Sequence, residues 1–217
     1  MRQFFKEPNV FSLFLRNIAR FSLCMMIGLG VSATAGVMGN YVPRVSTDPR
    51  AVYVFGQVNS SMLKQVKAEL LRLESEQPGV PMRVYISSGG GYYADGMEII
   101  HVMQSLSSPV ETVCVSQCDS MAALILAAGT PGMRSSHPKA RIMVHQLTDD
   151  PPRGNIRDLE LVLSALRSQQ DEYTRLMVKY TKKSTEEISA ALIEAKVMPA
   201  EGALGLGLID RVIALTN

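Results

Sequence analysis

The stretch Glu111–Thr130, which reads ETVCVSQCDSMAALILAAGT, decides the fold of this chain. Its first five residues are β-formers and predict a buried strand, whereas the run SMAALILAAG is apolar and favours a helix that ends at Gly129. The tetrapeptide SQCD between them predicts a turn, so Ser120 stands in the first turn of the helix. Either Ser120 caps this helix, or the turn aims its hydroxyl at a substrate while the helix N-terminus offers N–H groups to an oxyanion.

Strand and helix patterns alternate on the N-terminal side of this stretch. Two β-rich runs, Ala51–Gly56 and Arg83–Ser88, each precede a helical run. Asn59-Ser60-Ser61 offers a cap to the first helix, and the second begins at Ala94. This alternation requires parallel strands joined by crossover helices, which is an α/β fold. Ligands of such sheets bind beyond the carboxyl ends of the strands. Ser120 lies at such an end, which favours a functional role over a cap.

A triple glycine, Gly89-Gly90-Gly91, follows the second predicted strand and lies at the same edge of the sheet. No lysine follows it and the nucleotide-binding spacing is absent, so it is not a phosphate loop. Its bare backbone can present an N–H to an oxyanion or pair with an extended peptide. The alternative is a tight turn that needs positive φ angles.

His145 closes another predicted strand, Arg141–Gln146, again at a carboxyl end. A structural role is the alternative for any single histidine. The other two histidines are less well placed, because His101 lies in the middle of a predicted helix and His137 in a predicted loop, residues 132–138. His145 is therefore the candidate base for Ser120.

The C-terminal third is dominated by one long helical pattern. Residues Asp158–Tyr180 contain neither proline nor glycine and predict a helix about 35 Å long. A small domain does not need such a length, so we expect the helix to project and meet another copy of the chain. A further helix is predicted from Ser184, where STEE is a capping signature, and Gly207–Ile213 predicts a turn into a last strand.

The first 42 residues differ in composition from the rest. Residues 1–20 carry four basic side chains and one acid, and residues 21–42 carry no charge. An uncharged run of this length spans a bilayer, and Ala33-Thr34-Ala35 forms a small-x-small cleavage site before Gly36. We expect a signal peptide or membrane anchor at 1–42, a linker at 43–50, and a domain at 51–217 outside the cytoplasm, periplasmic or anchored. The alternative is a buried N-terminal helix.

Composition excludes several classes of function. A length of 217 residues fits one domain plus an extension. The net charge of +2 and the absence of a recognition motif argue against nucleic acid as a partner. The cysteines Cys24, Cys114 and Cys118 lack zinc-type spacing, so no metal or cofactor is expected. A Cys114–Cys118 disulfide is conceivable in an oxidising compartment, but an extended spacer would hold the α-carbons too far apart.

From about Arg50 to Ile213 the chain resembles the ClpP-like serine peptidases, the proteolytic subunits of Clp proteases. The matching motifs are ISSGGGYYADGM, QCDSMAALILAAG, ARIMVHQ and GLIDRVI. The resemblance implies a ClpP/crotonase-like α/β fold of repeated β-β-α and βαβ units, with mainly parallel strands and a projecting long helix. It also implies a homo-oligomeric ring, with the long helix at the position where the family's rings stack.

Carried over by position, the resemblance implies roles for individual residues. Ser120 is the nucleophile and His145 its general base. The N–H groups of the oxyanion hole fall on Gly91 and Met121. An extended peptide or unfolded protein substrate would pair with the glycine loop at Gly89–Gly90. No cofactor is implied.

Three positions depart from the family's pattern. The proline usual before the glycine pair is Gly89, and the small residue usual before the nucleophile is Asp119. The third catalytic residue, an aspartate in the family, falls on Ala195. If the alignment is shifted by one residue, its neighbour Glu194 takes this position. Glu194 is therefore the candidate for the third member. The alternatives are a Ser–His dyad, or another acceptor for the histidine such as Asp171.

The leading hypothesis is a serine endopeptidase outside the cytoplasm that cleaves unfolded or short peptides through an acyl-enzyme. Membrane association through residues 21–42 accompanies the anchored form of that hypothesis. One alternative is a catalytically inactive oligomeric scaffold or binding module. The other is a crotonase-like enzyme acting on acyl-thioesters, against which the Ser120–His145 pair argues because that chemistry does not need it.

Overall fold

A mostly parallel β-sheet forms the centre of the computed structural model, which describes residues 48–148 and 153–213. Its main path runs through five parallel neighbours in the order β1 (Ala51–Phe55), β2 (Met82–Ser88), β3 (Val110–Asp119), β4 (Arg134–Ser136) and β7 (Arg211–Val212). The two remaining strands are β5 (Arg141–Met143), parallel to β3, and β6 (Val197–Pro199), antiparallel to β5. The predicted α/β fold with mainly parallel strands is confirmed.

Six helices lie within the described residues. They are α1 (Ser60–Glu76), α2 (Tyr93–Ser105), α3 (Met121–Ala127), α4 (Ile156–Thr181), α5 (Thr185–Glu194) and α6 (Ala200–Leu206). The predicted caps are confirmed, because Asn59 accepts the first N–H groups of α1 and Ser184 forms a capping box with Glu187 at α5. The long helix begins earlier than predicted, since Asn155 and Asp158 form a second capping box in front of it.

Strand β3 changes its neighbour halfway along. Its first part pairs with β4 up to Cys114, and its last part pairs with β5 from Gln117 onward. Against β2, Cys114 lies opposite Ile86 and Cys118 opposite Ser88, so β3 bulges between the two pairs. The prediction of a turn at SQCD is therefore wrong, because these residues continue the strand beyond the bulge.

A disulfide joins Cys114 to Cys118 across this bulge, and their α-carbons are 6.0 Å apart. Four fully extended residues would span about 13 Å, which is why the sequence argued against the bond. The bulge draws the chain together to a separation that a disulfide spans. The geometric objection to the disulfide is therefore wrong.

The sequence patterns missed three short elements. The predicted loop at 132–138 contains β4, and the segment between α5 and β7 contains β6 and α6. Three-residue strands are too short to show an alternation of apolar and polar residues. Strand β4 is polar in sequence yet buried, because it lies between β3 and β7 in the sheet.

Helix α3 is buried along its whole length and packs on β3, α2 and α4. This explains why the run Met121–Ala127 is continuously apolar. A helix that is packed on all sides has little freedom to move. The residue that precedes it is therefore held in a fixed position. That residue is Ser120.

The first half of α4 is exposed, whereas its second half packs on the core. Ile156 and Leu161 are exposed, and Tyr173 and Met177 are buried. A stripe of apolar side chains on this first half consists of Leu159, Val162, Leu163 and Leu166; Leu159 and Leu163 are exposed in a single chain, and the other two are half-buried. A long, partly unpacked helix is therefore confirmed.

The predicted signal peptide or anchor at 1–42 lies outside the described residues, as does the predicted linker up to residue 47. Among the helices of the described part, none combines the length and the hydropathy that a membrane span requires.

Candidate active site

Ser120 joins β3 to α3 in a backbone conformation that residues other than glycine rarely adopt, with φ 56° and ψ −123°. Its side chain makes no capping hydrogen bond to α3, so the cap interpretation is wrong. Its N–H donates to the Met143 carbonyl at 2.8 Å, and the Tyr173 hydroxyl donates to its carbonyl at 3.2 Å. Backbone strain of this kind persists only where the surrounding structure imposes it. In α/β-hydrolases, a strained turn between a strand and a helix exposes the nucleophilic serine.

The glycine loop packs directly on this turn, and only glycine fits at position 90. Gly90 has a φ of 89°, and a Cβ there would lie 2.7 Å from both the Asp119 carbonyl oxygen and Ser120 Cβ. Its N–H donates to Ser88 Oγ at 3.0 Å. Gly89, beside it, is exposed. The structure thus brings the loop and Ser120 together, as their places at strand ends predicted.

Gly91 turns its N–H away from its neighbour in the sheet. The Val58 N–H donates to the Gly90 carbonyl at 2.8 Å, and the Tyr92 N–H donates to the Val58 carbonyl at 2.9 Å. Because Val58 bonds the residues on either side of Gly91, the N–H and C=O of Gly91 point to the opposite edge. The N–H of Met121, at the first position of α3, has no partner within the helix. Met121 itself is buried, and the use of these two N–H groups as an oxyanion hole stays a prediction.

His145 lies just beyond β5, half-buried, and a backbone contact determines its tautomer. Nδ1 of His145 is 2.5 Å from the carbonyl oxygen of Gln146. A carbonyl oxygen only accepts, so Nδ1 carries the hydrogen, and in the neutral ring the lone pair is then on Nε2. A general base needs this form of the imidazole.

Ser120 and His145 follow adjacent strand ends. Asp119 on β3 is paired with Met143 on β5. Ser120 follows Asp119 by one residue, and His145 follows Met143 by two. Within residues 48–148 and 153–213, no hydrogen bond joins the Ser120 hydroxyl to His145. The structure therefore confirms the common location of the two residues, and their catalytic roles stay predictions.

The turn at 194–195 does not bring a carboxylate to His145. Ala195 ends α5 in the left-handed conformation, and Glu194 before it is exposed, with no bond to His145 in the described part of the chain. Asp171 is also exposed and lines a groove of about 640 Å³ whose wall includes Gln146. The acceptor that His145 does have is a backbone carbonyl.

Asp119, noted in the sequence only as a departure, is a buried carboxylate on the same sheet face as His145. It is 3% exposed. Its Oδ2 lies 2.5 Å from the Arg141 guanidinium, whereas its Oδ1 has no hydrogen-bond partner in the described residues. Burial raises the pKa of Asp119, and the charge and hydrogen bond of Arg141 act against this rise without cancelling it. No group of His, Cys, Asp and Glu in the described residues is arranged to hold a metal.

Replacing Asp119 by asparagine is expected to stabilise the protein at neutral pH and to change its stability little in acid. Because the pKa of Asp119 in the folded protein lies above its ordinary value of 3.8, the unfolded chain ionises first as the pH rises. The stability of the wild type therefore falls as the pH passes from the ordinary pKa through the folded-state pKa. Asparagine does not ionise and still offers an oxygen to Arg141.

Melting temperatures of the two proteins from about pH 4 to about pH 8 check this expectation. The advantage of Asp119→Asn should grow with pH. An advantage that is largest in acid would contradict the assigned direction. Lys139→Gln, at an exposed cation, is the control and should show no such trend.

Comparison with known proteins places the chain in a family. A family model described as Clp protease matches residues 40–216, which include Ser120, His145 and the glycine loop. The ATP-dependent Clp protease proteolytic subunit 2 of Streptomyces coelicolor is 35% identical over 166 residues, 76% of this chain and 76% of that protein. The ATP-dependent Clp protease proteolytic subunit 4 of Streptomyces avermitilis is 34% identical over 167 residues, 77% of this chain and 74% of that protein. The chain therefore belongs to the Clp protease family.

Proposed function

We propose that this protein is a serine endopeptidase that forms an acyl-enzyme on Ser120 with His145 as the base. The observation that carries the proposal is the Ser120 turn, which is strained, makes no capping bond and lies against Gly90. Nε2 of His145, on the neighbouring strand, adds the base, because the Gln146 carbonyl holds the hydrogen of the neutral ring on Nδ1. Membership of the family supports serine-type peptidase chemistry at the level of the family.

In the proposed mechanism, Nε2 of His145 accepts the proton of the Ser120 hydroxyl as Oγ attacks the peptide carbonyl. The N–H groups of Gly91 and Met121 stabilise the oxyanion. The imidazolium then gives its proton to the departing amine. A water molecule, deprotonated by the same nitrogen, releases the acyl group and restores the hydroxyl.

The Gln146 carbonyl holds His145 in the place of a third side chain. A triad whose aspartate becomes asparagine loses about 10⁴-fold in rate, chiefly because the histidine then adopts the wrong tautomer. Here the carbonyl keeps the hydrogen on Nδ1, so the tautomer is correct. It carries no full charge, however, and stabilises the imidazolium less than a carboxylate does. We therefore propose a peptidase slower than one with a full triad, but faster than one with a misprotonated base.

The proposed substrates are short or unfolded peptides, bound as a strand along the glycine loop at Gly89–Gly90, next to Gly91. The proposed location is outside the cytoplasm, by export or anchoring through residues 1–42. The Cys114–Cys118 disulfide supports that location, since disulfides persist in oxidising compartments. Such a location separates the protein from cytoplasmic ATP, so its cleavage is proposed to be unaided.

The proposed assembly is a homo-oligomeric ring. The Clp protease family typically forms rings, which agrees with this proposal. The apolar stripe on the first half of α4, partly exposed in a single chain, supports contact with another copy.

A second candidate function is an inactive oligomeric scaffold. It is favoured by one observation, the lack of any carboxylate bonded to His145 in the described residues. Under this alternative the ring assembles but Ser120 does not react.

A fluorophosphonate probe separates the two candidates. The purified full-length chain is treated with the probe, and the modified residue is identified by peptide mapping. We expect one adduct, on Ser120, and none after the chain is denatured before labelling, because the reactivity depends on the folded site. An unlabelled protein that still sediments as an assembly would establish the scaffold, and an adduct on a different serine would refute the assignment of Ser120.

A further inference from the structure

We propose that Gln170, on α4, is a positioning residue for His145 and acts through the backbone; this role rests on the proposed function. Gln170 Oε1 accepts the Leu147 N–H at 2.7 Å. That N–H belongs to the same peptide group as the Gln146 carbonyl, which accepts the Nδ1–H of His145 at 2.5 Å. A peptide group is planar, so holding its N–H also sets the direction of its carbonyl.

The amide of Gln170 is itself held in one orientation. Its Nε2 donates to Thr174 Oγ1 at 3.1 Å, and the Thr174 hydroxyl donates to the Gln170 carbonyl at 2.8 Å. With the nitrogen engaged on Thr174, the oxygen is the atom left to face Leu147. Both residues lie in the half of α4 that packs on the core, beside the buried Tyr173. The acceptor for Leu147 is therefore anchored to a rigid element.

The series of hydrogen bonds also has an electrostatic effect. A peptide whose N–H donates to an acceptor becomes more polarised, and its carbonyl oxygen becomes a better acceptor. The Gln146 oxygen faces the ring that becomes positively charged when His145 takes the Ser120 proton. Gln170 therefore strengthens the acceptor that His145 has among the described residues, at the stage of the reaction where the charge develops.

The strand that carries His145 does not depend on Gln170 for its position. The Gln146 N–H donates to the Leu192 carbonyl at 3.2 Å, and the Val144 N–H donates to the Lys196 carbonyl at 3.1 Å. These bonds tie the strand to α5 and to the turn after it. Loss of Gln170 thus frees the peptide between 146 and 147 to rotate, while the chain that precedes it stays bonded.

Four forms of the full-length chain test this role: wild type, Gln170→Leu, Gln170→Glu and Gln169→Leu. The limiting rate of Ser120 phosphonylation at saturating probe should fall about tenfold in Gln170→Leu, the effect of one hydrogen bond lost in the transition state. The probe concentration for half-saturation should not change. Gln170→Glu keeps an acceptor for Leu147 and should react within about threefold of wild type. Gln169 is exposed and adjacent, so Gln169→Leu should react like wild type.

The outcomes separate this role from the proposed function. If the probe does not label the wild type, both the proposed function and the role of Gln170 are refuted. A labelled wild type with equal rates for Gln170→Leu and Gln169→Leu overturns the role of Gln170 alone, as does an equal loss in Gln170→Glu. If Gln170→Leu lowers the melting temperature, Thr174→Val takes its place in the test. That variant keeps the Gln170 oxygen as the acceptor for Leu147 but removes the partner that orients the Gln170 amide. An unchanged limiting rate of Ser120 phosphonylation in Thr174→Val would likewise overturn the role.

Discussion

Replacing Ser120 or His145 by alanine is expected to lower the rate of peptide hydrolysis by about 10⁴-fold or more. Ser120→Ala removes the oxygen that attacks, and His145→Ala removes the nitrogen that accepts its proton. Because both groups act in one proton transfer, the double variant should be no slower than about the slower single variant. The neighbouring backbone donors at Gly91 and Met121 remain, so any residual rate reflects binding and the oxyanion hole.

The measurement is the hydrolysis of an unstructured fluorogenic peptide, with matched controls in the same chain. Ser116 is an exposed serine on β3, and His101 is an exposed histidine on α2. Ser116→Ala and His101→Ala should keep the wild-type rate. A large loss in only one of the Ser120 and His145 variants, or a similar loss in the controls, would contradict a Ser–His mechanism. Melting temperatures of all variants show whether the fold is retained.

Replacing Arg134 by methionine is expected to lower the free energy of unfolding by about 3–5 kcal/mol. The Arg134 side chain is 9% exposed, and its Nε and Nη2 donate to the two carboxylate oxygens of Asp210 at 2.9 Å and 2.5 Å. Its Nη1 donates to the carbonyls of Ala127 and Tyr180. Methionine fills much of the same space, but it leaves the Asp210 carboxylate with backbone donors only, among them the N–H of residue 134 at 3.0 Å, and removes the side-chain donor of two carbonyls.

The Arg134–Asp210 ion pair also predicts how the loss of unfolding free energy in Arg134→Met depends on pH. Burial alone would raise the pKa of Asp210, but the hydrogen bonds from Arg134 outweigh it and hold that pKa below its usual range. The stabilisation is therefore fully present above the ordinary pKa of an aspartate and is lost as the pH falls through the folded-state value. Denaturant unfolding at neutral pH and in acid should show the difference between wild type and Arg134→Met shrinking in acid. A difference below about 1 kcal/mol at neutral pH would place Arg134 among ordinary surface ion pairs.

The elements that the sequence predicted well are those with a long local pattern. The apolar run after Ser120, the caps at Asn59 and Ser184 and the helix over 158–180 are all present. These elements are predicted by residues that are close together in the chain, because the spacing of apolar side chains indicates which face of an element is buried. The meeting of the glycine loop, Ser120 and His145 also followed, because the carboxyl ends of parallel strands share one edge.

The environment of His145 did not follow in the same way. The sequence offered Glu194 or Asp171 as its partner, whereas the structure shows the Gln146 carbonyl, supported by Gln170. A hydrogen bond depends on distances of a few tenths of an ångström between segments far apart in the chain. No spacing of residue types carries that information.

The sequence by itself thus determined the α/β class, the order of the main elements and the strand ends at which a site forms, because short-range periodicity and chain connectivity encode them. Only the tertiary structure decided that β3 bulges and brings Cys114 and Cys118 together in a disulfide, that Asp119 is buried with one oxygen to which no described residue donates, and that a peptide carbonyl faces the imidazole. Each of these depends on which strand lies beside β3 and in what register. That choice is made by the packing of the whole core rather than by any local stretch.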